Sequence, residues 1–348
     1  MEQNPNNGSY FKFPSQLRYD LVSKDWVVVA VGRGKKPEAF KSTRQKILVA
    51  EKDCVFCNLP QQGEPKLVMA GGKIYEGSGF PSDWTLAVIP NKFPAFSPAD
   101  KLEKIRVGKF YQTMNAAGFC EVIVTRGHDK NMFQMETAEV KEVIDAYQLR
   151  YNALKKEKLV NYISVFHNYG PEAGASQPHP HSQIITSPFV DTDFMRSLAM
   201  AKKYFKTNNK CIYCEMNKWD LKEKVRIVFE NEDFMTVCPF ASKTAFETII
   251  SPKKHVSYFE QISDGMKWNL AEAFRVTLAK IQKGLDDPSF NFYLHTSPAD
   301  GKKHPYYHWH WTIFPKTGIP AGFEIGTKME ISSIEPEAAA AYLREQNV

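Results

Sequence analysis

The chain has 348 residues, and its 45 Lys and Arg against 39 Asp and Glu give a formal net charge of +6. At about 150 residues per domain, this length predicts two domains or one large domain. A composition of 43% hydrophobic and 24% charged residues is typical of globular proteins and excludes the disordered, collagen-like and membrane-spanning classes. The charge is modest and no long basic run is present, which argues against a dedicated nucleic-acid-binding protein. The first residues lack the basic start and apolar middle of a signal peptide, so we predict a cytoplasmic protein.

Cysteine is the first residue type that points to a specific chemistry. Four of the six cysteines form two Cys-x-x-Cys pairs, Cys54 with Cys57 and Cys211 with Cys214. In a reducing compartment, such pairs indicate metal binding or redox chemistry rather than disulfides. A thioredoxin-like redox motif opens a helix, whereas Pro60 shortly after the first pair does not favour one. The two pairs therefore predict metal sites.

Histidines follow each cysteine pair in the same order. In the first half the chain continues to His128 and, 51 residues later, to His179 of a His-Pro-His segment. In the second half it continues to His255 and, 53 residues later, to His308 of a His-Trp-His segment. This repeated order and spacing indicate a duplicated layout.

The stretches between these positions predict the same elements in both halves. In the first half, strands are predicted at 83–90, 119–125, 161–167 and 183–186, with a helix from Val140 to Leu154. In the second half, strands are predicted at 233–239, 246–250, 291–295 and 311–314, with a helix from Met266 to Leu285. Each half is predicted to be α+β, a mainly antiparallel sheet with a helix packed on it. We place the two domains at 1–195 and 196–348, joined by a polar stretch near 190–208.

Two sets of four ligands are predicted to bind zinc. The first is Cys54, Cys57, His128 and His179, and the second is Cys211, Cys214, His255 and His308. A zinc ion held by four protein ligands is closed to substrate, so both sites are predicted to be structural. Iron stays an alternative to zinc at the second site. His310 is left open, either as a replacement for His308 or as part of a degenerate copy of the active site, and His167, His295 and His304 are predicted not to bind metal.

The segment from 168 to 183 carries the residues that can do chemistry. Its small residues, Gly174 among them, let the backbone approach a ligand and offer N–H groups to a phosphate. In a strand, His179 and His181 project to the same side, so a metal that holds His179 also fixes the backbone of His181. A neutral imidazole at His181 is a good nucleophile toward phosphorus. The side chains of Asn168, Ser176 and Gln183 can donate hydrogen bonds to the non-bridging oxygens.

The run NYGPEAGASQPHPHSQ at 168–183 resembles the signature of the galactose-1-phosphate uridylyltransferases, the nucleotidyltransferase branch of the histidine triad superfamily. The resemblance covers nearly the whole chain. Near the start, LRYD at 17–20, Trp26-Val27 and RGKKP at 33–37 follow the family's opening pattern. Late in the chain, AGFEIGT at 321–327 is similar to its C-terminal motif. Each half is therefore expected to resemble a histidine triad domain.

The resemblance implies a double-displacement reaction on a nucleotide sugar. His181 would attack the α-phosphorus, release the sugar 1-phosphate and hold the nucleotide, which a second sugar 1-phosphate then removes. Gln183 and Ser176 would join His181 in catalysis. The substrate-binding residues implied are Arg33, Lys36, Asn91, Asn168, Gly174, Ser176, Gln183, Phe323 and Gly326. The resemblance further implies zinc as cofactor, a role in galactose metabolism and a homodimer.

Four functions are compared on these residues. The leading prediction is exchange of UMP between UDP-glucose and a hexose 1-phosphate such as galactose 1-phosphate. Phosphorolysis of an ADP-sugar, as in an ADP-glucose phosphorylase that the chain also resembles, uses the same nucleophile with inorganic phosphate as acceptor. A dinucleotide hydrolase would need water to reach the intermediate. A zinc-ribbon module for nucleic acid would need clustered basic and aromatic residues around both Cys-x-x-Cys pairs, and Lys66 and Lys73 are too few.

Overall fold

A computed structural model describes residues 13, 15–30, 32, 36–43, 49–61, 64–77 and 79–348. The strands of the first half are β1 (Gln16–Tyr19), β2 (Trp26–Val29), β3 (Leu67–Ala70), β4 (Lys73–Tyr75), β5 (Trp84–Pro90), β6 (Lys104–Val107), β7 (Tyr111–Met114), β8 (Cys120–Thr125), β9 (Tyr162–Tyr169) and β10 (His181–Ser187). Those of the second half are β11 (Ile227–Glu230), β12 (Phe234–Val237), β13 (Thr248–Pro252), β14 (Phe290–His295), β15 (His310–Pro315) and β16 (Ile331–Ser332).

The α-helices of the described residues differ widely in length. They are α1 (Thr137–Leu154), α2 (Thr192–Asn208), α3 (Ile212–Glu223), α4 (Asp264–Leu285), α5 (Gly322–Thr327) and α6 (Pro336–Arg344). None of these helices has both the length and the apolar composition needed to cross a bilayer.

Eleven strands form one antiparallel sheet in the order β11-β12-β13-β15-β14-β9-β10-β8-β5-β3-β4. The halves meet where β9 pairs with β14, and Asn168 of β9 lies opposite Asn291 of β14. Outward from this pair, both halves place the His-x-His strand next, β10 on one side and β15 on the other. The duplication seen in the sequence is therefore a pseudo-twofold arrangement within a single sheet.

Helices α1 and α4 cover one face of this sheet. Strands β9 and β14 alternate buried and half-buried residues, as expected when one face is packed against helices. The residues that predicted α1, including Val140, Ile144 and Tyr147, are all buried in the shared core. Fully burying one such large apolar side chain contributes about 1.5–3 kcal/mol. The predicted α+β class with antiparallel sheets is confirmed.

The N-terminal strands do not join the sheet of their own half. Strands β1 and β2 pair with each other, and β2 pairs in parallel with β16 from the end of the chain. The buried guanidinium of Arg18 in β1 contacts Glu337 of α6 at 2.9 Å. The predicted boundary at residues 195 and 196 lies inside α2, because the polar joining stretch folds as a helix. The division into 1–195 and 196–348 stays a prediction.

Candidate active site

The first set of four predicted ligands comes together in space. The ligand atoms of Cys54, Cys57, His128 and His179 all lie within 4.8 Å of one another. Nδ1 of His179 is 3.4 Å from Sγ of Cys54, and Nδ1 of His128 is 3.1 Å from Sγ of Cys57. Two sulfur and two imidazole ligands form a donor set that suits a metal such as zinc.

Hydrogen bonds to carbonyl groups orient both histidines of this cluster. Nε2 of His128 donates to the carbonyl of Val49 at 2.7 Å, and Nε2 of His179 donates to that of Thr125 at 2.8 Å. A proton on Nε2 leaves the lone pair of Nδ1 directed at the cluster, as metal-binding histidines require. Burial lowers the pKa of His179 to about 4, so its ring is neutral at pH 7.

The second cluster repeats this design with Cys211, Cys214, His255 and His308, whose ligand atoms also lie within 4.8 Å of one another. Nε2 of His255 donates to the carbonyl of Pro305 and Nε2 of His308 to that of Pro252, both at 2.9 Å. His308 rather than His310 therefore belongs to this cluster. Both clusters fit a metal such as zinc.

His181 is the first residue of β10 and lies beside the first cluster. Its Nδ1 donates to the backbone carbonyl of His179 at 2.9 Å. This tautomer places the lone pair on Nε2, and no hydrogen bond within the described part of the chain engages that atom. Burial lowers the pKa of His181, so the ring is neutral and nucleophilic at pH 7. The ring of Phe56 packs against it with centroids 4.9 Å apart.

Gln183 and Asn168 project to the same face of the sheet as His181. Gln183 is two residues further along β10, and the pairing of Ser182 with His167 places Asn168 opposite His181. The side-chain oxygen of Asn168 accepts a hydrogen bond from Nδ2 of Asn291 at 2.8 Å. This bond leaves the amide hydrogens of Asn168 directed away from Asn291 and available to a ligand. The sequence analysis missed Asn291, because only the pairing of β9 with β14 brings it here.

The glycines of the loop have a conformational role. Gly170 and Gly174 have φ of 81° and 80°, which L-residues with a side chain rarely adopt. The N–H of Gly174 donates to Pro171 at 2.9 Å, and that of Ala175 donates to Gly170 at 3.1 Å. Both N–H groups therefore close the turn, and the expectation that the loop offers N–H groups to a phosphate stays a prediction. Ser176 is exposed at the end of the loop.

A buried polar chain supports the other side of β10. The hydroxyl oxygens of Tyr147 in α1 and Ser182 in β10 are 2.6 Å apart. Nδ1 of His167 is 3.1 Å from the same Ser182 hydroxyl oxygen. The ring of His167 stacks on Phe292 with centroids 4.8 Å apart and 7° between the planes. Burial lowers the pKa of His167 to about 3, so it is a neutral core histidine.

The remaining residues predicted to bind substrate lie outside β9, β10 and the loop that joins them. Asn91 follows β5, and its side-chain oxygen accepts from the N–H of Phe93 at 3.0 Å. Lys36 is exposed, and Arg33 lies outside the described residues. Phe323 and Gly326 are on α5, with the ring of Phe323 49% exposed. Among the described residues, no hydrogen bond or ring contact joins α5 to β10.

Family models match both halves of the chain. The N-terminal domain of galactose-1-phosphate uridyl transferase matches residues 11–191, and the C-terminal domain matches residues 197–329. An ADP-glucose phosphorylase from Arabidopsis thaliana is 32% identical over 336 residues, covering 95% of this chain and 92% of the relative. A galactose-1-phosphate uridylyltransferase from Thermotoga maritima is 27% identical over 346 residues, covering 96% and 99%.

Solved structures agree with these matches. A crystal structure of an ADP-glucose phosphorylase from Arabidopsis thaliana with bound ADP-glucose has a TM-score of 0.79 at 30% identity and covers 96% of this chain and 100% of that one. A uridylyltransferase structure has a TM-score of 0.71 at 25% identity and covers 94% and 97%. With its two Cys-His clusters and its His-Pro-His segment, the chain belongs to the galactose-1-phosphate uridyl transferase family.

Proposed function

We propose that the protein transfers a nucleotide from a nucleotide sugar to a second acceptor through a covalent nucleotidyl-histidine. Nε2 of His181 attacks the α-phosphorus, a P–N bond forms, and the P–O bond to the sugar 1-phosphate breaks. The acceptor's phosphate oxygen then attacks the same phosphorus and displaces the imidazole. One observation carries this proposal: the bond from Nδ1 of His181 to the carbonyl of His179 at 2.9 Å, which leaves Nε2 as the nucleophile.

Side chains around His181 can stabilise the charge that develops at phosphorus. Asn168, held by Asn291, and Gln183 on the same face can donate to the non-bridging oxygens. Ser176 at the end of the loop is a third proposed donor. Gly174 stays a proposed substrate-binding residue through its turn, since its N–H is already donated.

We favour an ADP-sugar as the nucleotide donor and inorganic phosphate as the acceptor. Two observations support this choice: the 32% identity to an ADP-glucose phosphorylase and the TM-score of 0.79 to such a protein with bound ADP-glucose. The second candidate is exchange of UMP between UDP-glucose and a hexose 1-phosphate, supported by the relative that is 27% identical. Both use the same first step at His181.

Mass spectrometry of the intact protein separates the two candidates. We expect mixing with ADP-glucose to add the mass of AMP, and subsequent inorganic phosphate to remove it as ADP. UDP-glucose should add little or nothing in the same time. Faster labelling by UDP-glucose, with release only by a hexose 1-phosphate, would instead establish the uridylyl exchange.

Gln183 should control the fate of the intermediate. Replacing Gln183 with Ala removes a hydrogen-bond donor to the nucleotidylated phosphate, so turnover should fall by roughly 10²- to 10³-fold. We expect the ratio of hydrolysis to transfer to rise, because the intermediate waits longer for its acceptor. Product partitioning between free nucleoside monophosphate and transferred nucleotide measures this ratio. If the unmodified protein already releases mainly free monophosphate at saturating acceptor, the hydrolase alternative is correct.

We also propose that each cluster binds one zinc ion, with iron as the alternative at the second cluster. The zinc would be structural: it would fix the backbone position of His179 and thereby orient His181.

The free thiols of both clusters suit a reducing compartment such as the cytoplasm. We propose a homodimer in which Phe323 and Gly326 on α5 reach the substrate of a second copy, since no hydrogen bond or ring contact joins α5 to β10 among the described residues. Arg33, Lys36 and Asn91 stay proposed nucleotide contacts.

A further inference from the structure

A large cavity lies over the strands of the second half, on the face of the sheet opposite α4. Its volume is about 720 Å³. Strands β13, β14 and β15 form its floor, and the turn after β1, α2 and α3 cover it. The rings of Trp219 and Phe240 line it while being 43% and 38% exposed, so they mark an opening to solvent. The volume is in the range of small-molecule sites.

The pseudo-twofold relation between the halves makes the position of this cavity equivalent to that of the face around His181 in the first half. His310 corresponds to His181, and its Nδ1 likewise donates to a carbonyl, that of His308, at 3.1 Å. Unlike in His181, its Nε2 is engaged, lying 3.3 Å from Nδ1 of His295. Thr312 stands where the catalytic strand has Gln183. The floor therefore lacks a free nucleophile and the amide donor.

The charges on the cavity wall also differ from those of a phosphate site. The wall carries seven carboxylate side chains: Asp20, Asp25, Asp191, Asp193, Glu215, Asp220 and Glu247. Its Lys and Arg residues are Lys243 and Arg226, and both are already paired, Lys243 with Asp25 at 3.2 Å and Arg226 with Asp220 at 2.6 Å. Arg196 pairs with Asp193, and Lys210 and Lys218 pair with Glu215. Among the described residues, Asp20, Asp191 and Glu247 have no salt bridge to Lys or Arg, so an anionic ligand would meet their negative charge.

Glu247 is a buried carboxylate of this wall that has no salt bridge among the described residues. It is only 6% exposed, and one of its oxygens accepts from the backbone N–H of Lys243. No side chain of the described residues donates a hydrogen bond to it, and burial raises its pKa to about 7. The rings of Tyr293 and Tyr213 line the same cavity, and among the described residues no cation lies over either. A carboxylate and aromatic rings that line one cavity are groups that attract an ammonium group.

We propose that this cavity binds a small organic cation, an amine with an aromatic body, whose ammonium group pairs with Glu247 while its ring packs among the tyrosines. The amine displaces no residue from a salt bridge, since Lys243 and Arg226 keep their own partners. The site is separate from the nucleotide-transferring face around His181, which lies in the other half of the sheet.

Three probes that share one phenol ring test the charge preference: tyramine, a cation, tyrosol, which is neutral, and phloretate, an anion. We expect calorimetric titration of the full chain to give tyramine a Kd on the order of 1 mM or tighter, as an amine of about ten heavy atoms allows. Tyrosol and phloretate should bind more weakly. Equal or tighter binding of phloretate, or no binding of tyramine, would overturn the proposal.

Three variants test whether tyramine binds in this cavity. Glu247→Gln keeps the shape of the side chain and should weaken tyramine at least about tenfold. Met216→Trp fills the cavity from α3 without changing its charge and should abolish tyramine binding, which decides the question if Glu247→Gln does not fold. His181→Ala is the matched control and should leave the Kd unchanged. Retention of tyramine affinity in a folded Glu247→Gln protein, or in Met216→Trp, would show that the amine binds elsewhere.

Discussion

The His181→Ala variant is expected to form no covalent nucleotide adduct and to lose turnover by a factor on the order of 10⁶, as when a catalytic nucleophile is removed. The reason is geometric, because His181 presents a neutral imidazole whose Nδ1 is committed to the carbonyl of His179. Incubation with labelled nucleotide sugar, followed by alkaline denaturation, under which phosphohistidine survives, measures the adduct. We also expect His181→Gly to regain part of the turnover when imidazole is added, since imidazole can occupy the vacated space.

The second half of the chain offers a matched control for this experiment. His310 makes the same Nδ1 bond to a backbone carbonyl, at 3.1 Å, but its Nε2 faces His295. His310→Ala should therefore keep the full adduct while removing an equally buried imidazole. A stable adduct on His181→Ala would mean that another residue is the nucleophile.

The local features of this fold could be predicted from the sequence because their signals are local. The periodicity from Val140 to Leu154 indicated α1, and the two Cys-x-x-Cys pairs with their histidines indicated both clusters. Strand boundaries were less accurate. The strand predicted from residue 183 begins at His181, because the ladder with β8 already includes that residue.

Features that depend on long-range pairing could not be predicted in this way. The pairing of β9 with β14 unites the halves in one sheet and supplies Asn291 as the partner of Asn168. The pairing of β16 with β2 joins residues about 300 positions apart, and no periodicity in either segment encodes it. The use of the Gly174 N–H within its own turn depends on the φ angle of that residue, which the sequence permits but does not specify.

Loss of one cysteine ligand should remove one metal ion and separate the roles of the two clusters. We expect the purified protein to contain close to two zinc ions per chain, and Cys54→Ser and Cys211→Ser to contain close to one each. Structural zinc supplies folding free energy on the order of 10 kcal/mol in small zinc peptides, so both variants should melt at lower temperature. Nucleotidyl transfer should fall much further in Cys54→Ser, because the first cluster holds His179, whose carbonyl orients His181.

Metal analysis of each variant, alongside its melting temperature and its adduct yield, checks this expectation. Cys120→Ser is the control, since Cys120 is also buried but belongs to neither cluster. It should keep both ions and its adduct. Retention of two ions by Cys54→Ser or Cys211→Ser would contradict the ligand assignment. Equal loss of adduct in the two variants would contradict the specific link from the first cluster through His179 to His181, because the second cluster contains His308 instead and lies in the half without the nucleophile.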